Sequence, residues 1–115
     1  MPVTIYHNPR CSKSRQTLQL LRDRGVEPEI VEYLKSPPDA KTLAELLKKL
    51  GLVPRELMRR REAAYKENGF ADDSLDDATL INGIVSNPVL MERPIVVNGR
   101  KAALGRPPEA VLEIL

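Results

Sequence analysis

The strongest constraint on the fold lies in the first 34 residues. Val3 to Tyr6 reads VTIY, and Glu29 to Leu34 reads EIVEYL. Both runs are rich in the β-branched and aromatic side chains that favour short strands. Between them, Ser12 to Arg24 carries Thr17, Leu18, Leu20 and Leu21 at helical spacing, and Gly25 follows as a helix stop. Strand, helix and strand within roughly 30 residues make a βαβ unit. Its two strands must run parallel, with the crossover helix in the right-handed sense.

The rest of the chain has to complete that sheet. SPPD at 36–39 is a turn. Thr42 to Leu50 places Leu43, Leu46, Leu47 and Leu50 on one helical face, with Thr42 and Glu45 spaced as a capping box. Pro54 opens a helical stretch expected to run through Met58 and Arg59 towards Tyr65. A further helix is expected from about Ser74, carrying Leu75, Leu80, Ile81, Ile84 and Val85. PIVV at 94–97 and RKAAL at 100–104 flank Asn98-Gly99, the signal of a hairpin with a type I′ turn. GRPPEAVLEIL reads as a loop and a closing helix, with Val111, Leu112 and Leu115 inward. The order is β-α-β, a helical insert at about 39–86, then β-β-α. It predicts a single α/β domain over 1–115, thioredoxin-like, with one four-stranded mixed sheet.

Composition removes several function classes. With three Tyr, one Phe and no Trp, the chain lacks the stacking platforms of single-strand nucleic-acid binders. A net charge of +2 provides no strong field towards nucleic acid or membrane. No apolar run is long enough to span a bilayer. No charged segment followed by an apolar stretch opens the chain, so a cytoplasmic location is expected. One Cys and one His cannot by themselves build a zinc site, and a lone Cys forms no internal disulfide.

Those two residues fall together in HNPRCSKSR, in the loop between the first strand and its helix. The helix that starts after Cys11 offers unpaired N–H groups and a positive dipole end, both of which favour a thiolate. Arg10, Lys13 and Arg15 add positive charge, Ser12 and Ser14 offer hydroxyl donors, and His7 adds charge when protonated. A helix start also binds anions, so the loop could cradle an oxyanion around a nucleophile. Arg93 and Arg106 each precede a proline at a predicted loop, and a guanidinium fork suits tetrahedral oxyanions. In such a sheet the turn before the third strand lies beside the loop after the first, and an X-Pro bond there is often cis. Two rival motifs are absent. A phosphatase loop needs Arg where Thr17 stands, and a dithiol site needs Cys where Ser14 stands. An adduct on Cys11 must therefore be cleared by an external thiol.

HNPRCSKSRQTL, ERPIVV and GRPPEAVLEIL, in this order and in a chain of this size, resemble the glutaredoxin-coupled arsenate reductase (ArsC) family along nearly the whole sequence. The likeness is greatest to a less characterised bacterial branch. The resemblance implies a thioredoxin-like fold with a helical insert. It also implies a reaction in which the cysteine attacks arsenate, glutathione attacks the adduct, and glutaredoxin removes the glutathione as arsenite leaves. It maps the nucleophile to Cys11 and the oxyanion-binding arginines to Arg59, Arg93 and Arg106. His7 and Ser14 take the positions thought to favour the thiolate. Arg55, Arg60 and Arg61 crowd Arg59. No bound cofactor or metal is implied; glutathione is a co-substrate and glutaredoxin a partner. Ser12-Lys13 stand where better-known members tend to carry Gly-Thr, which reduces backbone freedom and adds a cation. Two other readings stay open. One is a thiol reductase of another substrate. The other is a non-catalytic regulator of the same fold that binds RNA polymerase, although such regulators usually carry Cys-x-x-Cys.

Overall fold

The computed structural model describes residues 2–115. It divides into two compact units, residues 2–36 with 93–115, and residues 37–92. The first holds the sheet. Strands β1 (Val3–His7), β2 (Glu29–Glu32), β3 (Ile95–Asn98) and β4 (Lys101–Leu104) lie in the order β2-β1-β3-β4. β1 and β2 are parallel, with Ile5 opposite Ile30. β1 and β3 are antiparallel, with Ile5 opposite Val96, and β3 and β4 close the sheet as a hairpin. The mixed, thioredoxin-like sheet expected from the element order is therefore present.

Period-two alternation makes one face of this sheet apolar. Val3, Ile5 and His7 of β1 are buried while Thr4 and Tyr6 are only half-buried. Helix α1 (Ser12–Asp23) covers that face with Ser14, Thr17, Leu18 and Leu21, a strict i, i+3, i+4, i+7 stripe. Leu20, expected on this stripe, is only half-buried. Val3, Ile5, Leu18, Leu21, Val96 and Val111 form one core cluster.

Several element boundaries differ from the sequence reading. β2 ends at Glu32 rather than Leu34, because the N–H groups of Lys35 and Ser36 both turn back to the Glu32 carbonyl. The hairpin loop is Gly99-Arg100, since Asn98 already pairs with Lys101. Gly99 has φ +62° and Arg100 has none above zero, which is the pattern of a type II′ turn and not I′. The closing helix is a 3₁₀ helix, Pro108–Ile114. Its threefold period aligns Pro108, Val111 and Ile114 towards the core and leaves Leu115 44% exposed.

The second unit is helical. α2 (Ala40–Leu50) buries Leu43, Leu46 and Leu47, and it packs on α5 (Asp77–Ser86), which buries Leu80 and Ile84. α2 starts two residues earlier than expected, with Asp39 as the cap that accepts the Thr42 N–H. Asp76 caps α5 in the same way, so Leu75 precedes the helix. The single stretch expected from Pro54 to Tyr65 is two short helices, α3 (Pro54–Leu57) and α4 (Ala63–Glu67). Between them Met58 is extended and bridges Met91, while the Arg59 N–H donates to the Leu90 carbonyl. Burying Met58 and Met91 with satisfied backbones outweighs local helix propensity here.

Ile5 is fully buried at the centre of the sheet. Ile5→Ala should lower the unfolding free energy by about 2–5 kcal/mol, read as a shift in denaturant midpoint without change in slope.

Candidate active site

Cys11 is the residue immediately before α1, with extended backbone (φ −92°, ψ 123°). Its own N–H donates to the Asn8 carbonyl at 3.0 Å, and its carbonyl accepts the Arg15 N–H at 3.0 Å as the first bond of the helix. The loop before it is tied down twice more. The Arg10 N–H donates to Asn8 Oδ1, and Arg15 Nη1 donates to the Pro9 carbonyl. Cys11 is a free thiol, half-buried.

Partial burial by itself pushes the Cys11 thiol up. The Ser14 N–H, the Arg93 guanidinium and the Lys13 N–H together outweigh it, and the pKa is lowered. The two N–H groups and the guanidinium act as hydrogen-bond donors to the thiolate, and Arg93 adds its charge. Of the cations, only Arg93 figures among the groups that lower it. Arg10, Lys13 and Arg15, the sequence-local candidates, are exposed, and Lys13 acts through its backbone.

Arg93 arrives through the sheet. The last β1–β3 pair is Tyr6 with Ile95, so one step further the chains reach His7 and Pro94. Arg93 follows in the level of the Cys11 loop. Its bond to Pro94 is cis, as is Arg106–Pro107. The Arg93 Nε–H is buried and has no partner among the described residues. Arg106 is joined to the same segment, its Nε donating to the Arg93 carbonyl at 3.0 Å.

His7 and Ser14 meet under the loop, with Nδ1 and Oγ 2.6 Å apart. Ser14 Oγ also accepts the Asn8 N–H at 3.1 Å. One shared proton joins Nδ1 and Oγ, whichever of the two atoms carries it. Burial lowers the His7 pKa, with Arg22 and Arg15 lowering it further and Glu32 opposing them. The neutral ring is thereby favoured at pH 7, and the charge that protonated His7 would bring beside Cys11 belongs to lower pH. Ser14 differs from the sequence reading: its hydroxyl is occupied by His7 and Asn8, and it reaches the sulfur through its N–H.

One contributor escaped the sequence reading. The Gly105 N–H donates to the Pro94 carbonyl at 2.9 Å. A Cβ at 105 would stand 2.6 Å from Thr17 Oγ1 and 2.7 Å from Pro94 Cγ. Gly105 thus lets α1 and the Arg93–Pro94 segment approach. The only signal in the sequence was a glycine abutting Arg106-Pro107.

Arg59 belongs to the helical unit. Its guanidinium pairs with Glu62 at 2.6 Å and Glu92 at 3.6 Å. The crowding around it is resolved in part, because Arg55 is bound to Tyr65 Oη and the carbonyls of Phe70 and Asp72. Arg60 and Arg61 are exposed. Among the described residues no group of three or more His, Cys, Asp or Glu could hold a metal ion, and no helix is long and apolar enough to cross a membrane.

The sequence model of the ArsC family matches residues 6–114. The chain belongs to the ArsC family. Among its relatives, the uncharacterized protein YfgD of Escherichia coli K12 is 62% identical over 98% of this chain and 96% of its own. The arsenate reductase of the same organism is 44% identical over 98% of this chain and 80% of its own. The solved structure of arsenate reductase from Vibrio cholerae superposes with a TM-score of 0.97 at 48% identity, covering 100% of this chain and 98% of that one. Within this ArsC fold, the β1–α1 loop and the Arg93–Pro94 segment lie in one unit and bring Cys11, His7, Ser14 and Arg93 together.

Two outcomes follow for the ArsC-type loop. In alkylation of Cys11 against pH, the midpoint should lie below that of an unperturbed thiol, and both Arg93→Ala and Gly105→Ala should raise it. A midpoint unmoved by either change would remove Arg93 as the acting charge. The second outcome concerns His7, whose folded pKa is below its ordinary 6.5. In the window between them the unfolded chain binds more protons, so stability is complete above 6.5 and is lost as pH falls. Melting temperature should decline less steeply on acidification below 6.5 in His7→Gln than in the wild type.

Proposed function

We propose that this protein is an arsenate reductase that uses Cys11 as its nucleophile and takes reducing equivalents from glutathione and glutaredoxin. The observation that carries the reading is the place of Cys11 at the start of α1, where the Ser14 and Lys13 N–H groups and the Arg93 guanidinium converge on its sulfur and lower its pKa. The ArsC membership and the relatives named arsenate reductase support it.

In the proposed reaction the Cys11 thiolate attacks arsenic, an As–S bond forms, and one arsenate oxygen leaves as water. Glutathione then displaces a second arsenic oxygen as water to form an As–S bond of its own. A second glutathione thiol, delivered by glutaredoxin, attacks that glutathione sulfur, so that glutathione disulfide leaves and the electron pair stays on arsenic. Water finally cleaves the bond between arsenic and Cys11 to release arsenite and the thiol. The net change is arsenate plus two glutathione to arsenite, glutathione disulfide and water. The external thiols are a chemical necessity, because Cys11 has no second cysteine to resolve it. Arsenate and phosphate share shape and charge, so discrimination would come from covalent chemistry at sulfur.

The Arg93 fork, with its unpartnered Nε–H, is proposed to bind the oxyanion and stabilise charge as it develops on the oxygens. Arg106 is proposed to share that task while its Nε holds the Arg93 carbonyl. For Arg59 the proposal is narrower: a cation that can exchange Glu62 or Glu92 for an oxyanion. His7 and Ser14 are proposed as positioning residues that hold the start of α1 under the sulfur.

A coupled assay with arsenate, glutathione and glutaredoxin should show turnover that disappears in Cys11→Ser and falls by roughly 100-fold or more in Arg93→Ala. Equal rates for wild type and Cys11→Ser would sink the reading. Glutathionylation of Cys11 without arsenate turnover would replace it by a thiol reductase of another substrate.

A further inference from the structure

A cleft of about 270 Å³ opens beside the Cys11 loop. One wall is the end of β1, from His7 to Arg10; the other is the turn after β2, with Glu32, Leu34 and Lys35. Its volume is below the range of roughly 300–1,000 Å³ typical for whole small ligands, so it suits one end of a molecule.

The lining carries both signs of charge. The Arg10 guanidinium has no partner among the described residues, and its N–H is fixed by Asn8. Glu32 and Lys35 are paired only loosely, at 3.7 Å with 43% and 80% exposure, so a ligand can compete at little cost. His7, 6% exposed and with Nδ1 taken by Ser14, lines the inner end of the cleft. The two cations, Arg10 and Lys35, suit a carboxylate. Glu32 beside them suits an ammonium. That combination recognises a free α-amino-acid group.

The cleft adjoins the loop that carries the sulfur. The Asn8 carbonyl on its wall accepts the Cys11 N–H at 3.0 Å. Pro9 and Cys11, two residues apart, are separated by at most about 7 Å. A molecule seated here by its amino-acid end can present a group a few bonds away to Sγ.

We propose that this cleft binds the γ-glutamyl end of glutathione, which is a free α-amino-acid group, and so delivers the tripeptide's thiol to Cys11. The proposal rests on the reading of glutathione as co-substrate, but its test needs no arsenate. Cys11 is first converted to its mixed disulfide with 5-thio-2-nitrobenzoate. Attack by a thiolate on the Cys11 sulfur forms a new S–S bond and releases the coloured thiolate, with no net redox change. Rates are measured with glutathione and with thioglycolate, which has the same net charge and no amino-acid group. In Arg10→Gln/Lys35→Gln the glutathione rate should fall roughly five- to tenfold, as expected for losing charged hydrogen bonds near solvent, and the thioglycolate rate less than about twofold. Equal losses for both thiols would mean general steering only and would overturn the site, as would an unchanged glutathione rate. Selective loss in a protein that fails to reduce arsenate would leave the cleft standing and remove the arsenate reading.

Discussion

A buried hydrogen bond of 2.6 Å between His7 Nδ1 and Ser14 Oγ joins the last residue of β1 to the first turn of α1. Both residues lie on inward-facing stripes, His7 by the period of two in β1 and Ser14 by the helical period in α1. Two polar groups in the core must satisfy each other, and the Asn8 N–H completes the set. The loop between them is thereby held in one arrangement. The N–H groups of Lys13 and Ser14 come to Cys11 as a consequence, and a neutral imidazole suffices for this.

The electrostatics of the thiol show why nearness in sequence misleads. Three basic side chains surround Cys11 along the chain, yet all three are exposed to water, where their fields are screened. Arg93 comes from the other end of the sheet order of events, through β1–β3 pairing. Its partial burial lowers the local dielectric and strengthens its effect. Gly105 keeps that arrangement tight, because any side chain there would press on both Thr17 and Pro94. A glycine, an arginine and a helix start from three separate segments thus act on one sulfur.

The insert makes the same point in a different way. Arg55, Arg59, Arg60 and Arg61 are chemically alike and nearly adjacent. Their fates differ because the chain breaks between α3 and α4. Met58 turns inward to bridge Met91, Arg55 points to Tyr65 and two carbonyls, and Arg59 meets Glu62 and Glu92. An unbroken helix from 54 to 65 would have placed these side chains on other faces.

By itself the sequence determined the strand and helix order, the parallel and antiparallel halves, and the position of Cys11 at a strand-to-helix loop. Those features are local: side-chain period, turn residues and the short crossover distance decide them. It also contains the Ser14, Thr17, Leu18, Leu21 stripe, although the hydrophobicity of Leu20 points to that face and its burial is only partial. Tertiary structure alone decided which cation reaches the thiol, that the neutral His7 ring is favoured, that Met58 breaks a helix, and that the hairpin turns at Gly99-Arg100. These depend on burial and on partners distant in the chain, and neither quantity is encoded in the spacing of neighbouring residues.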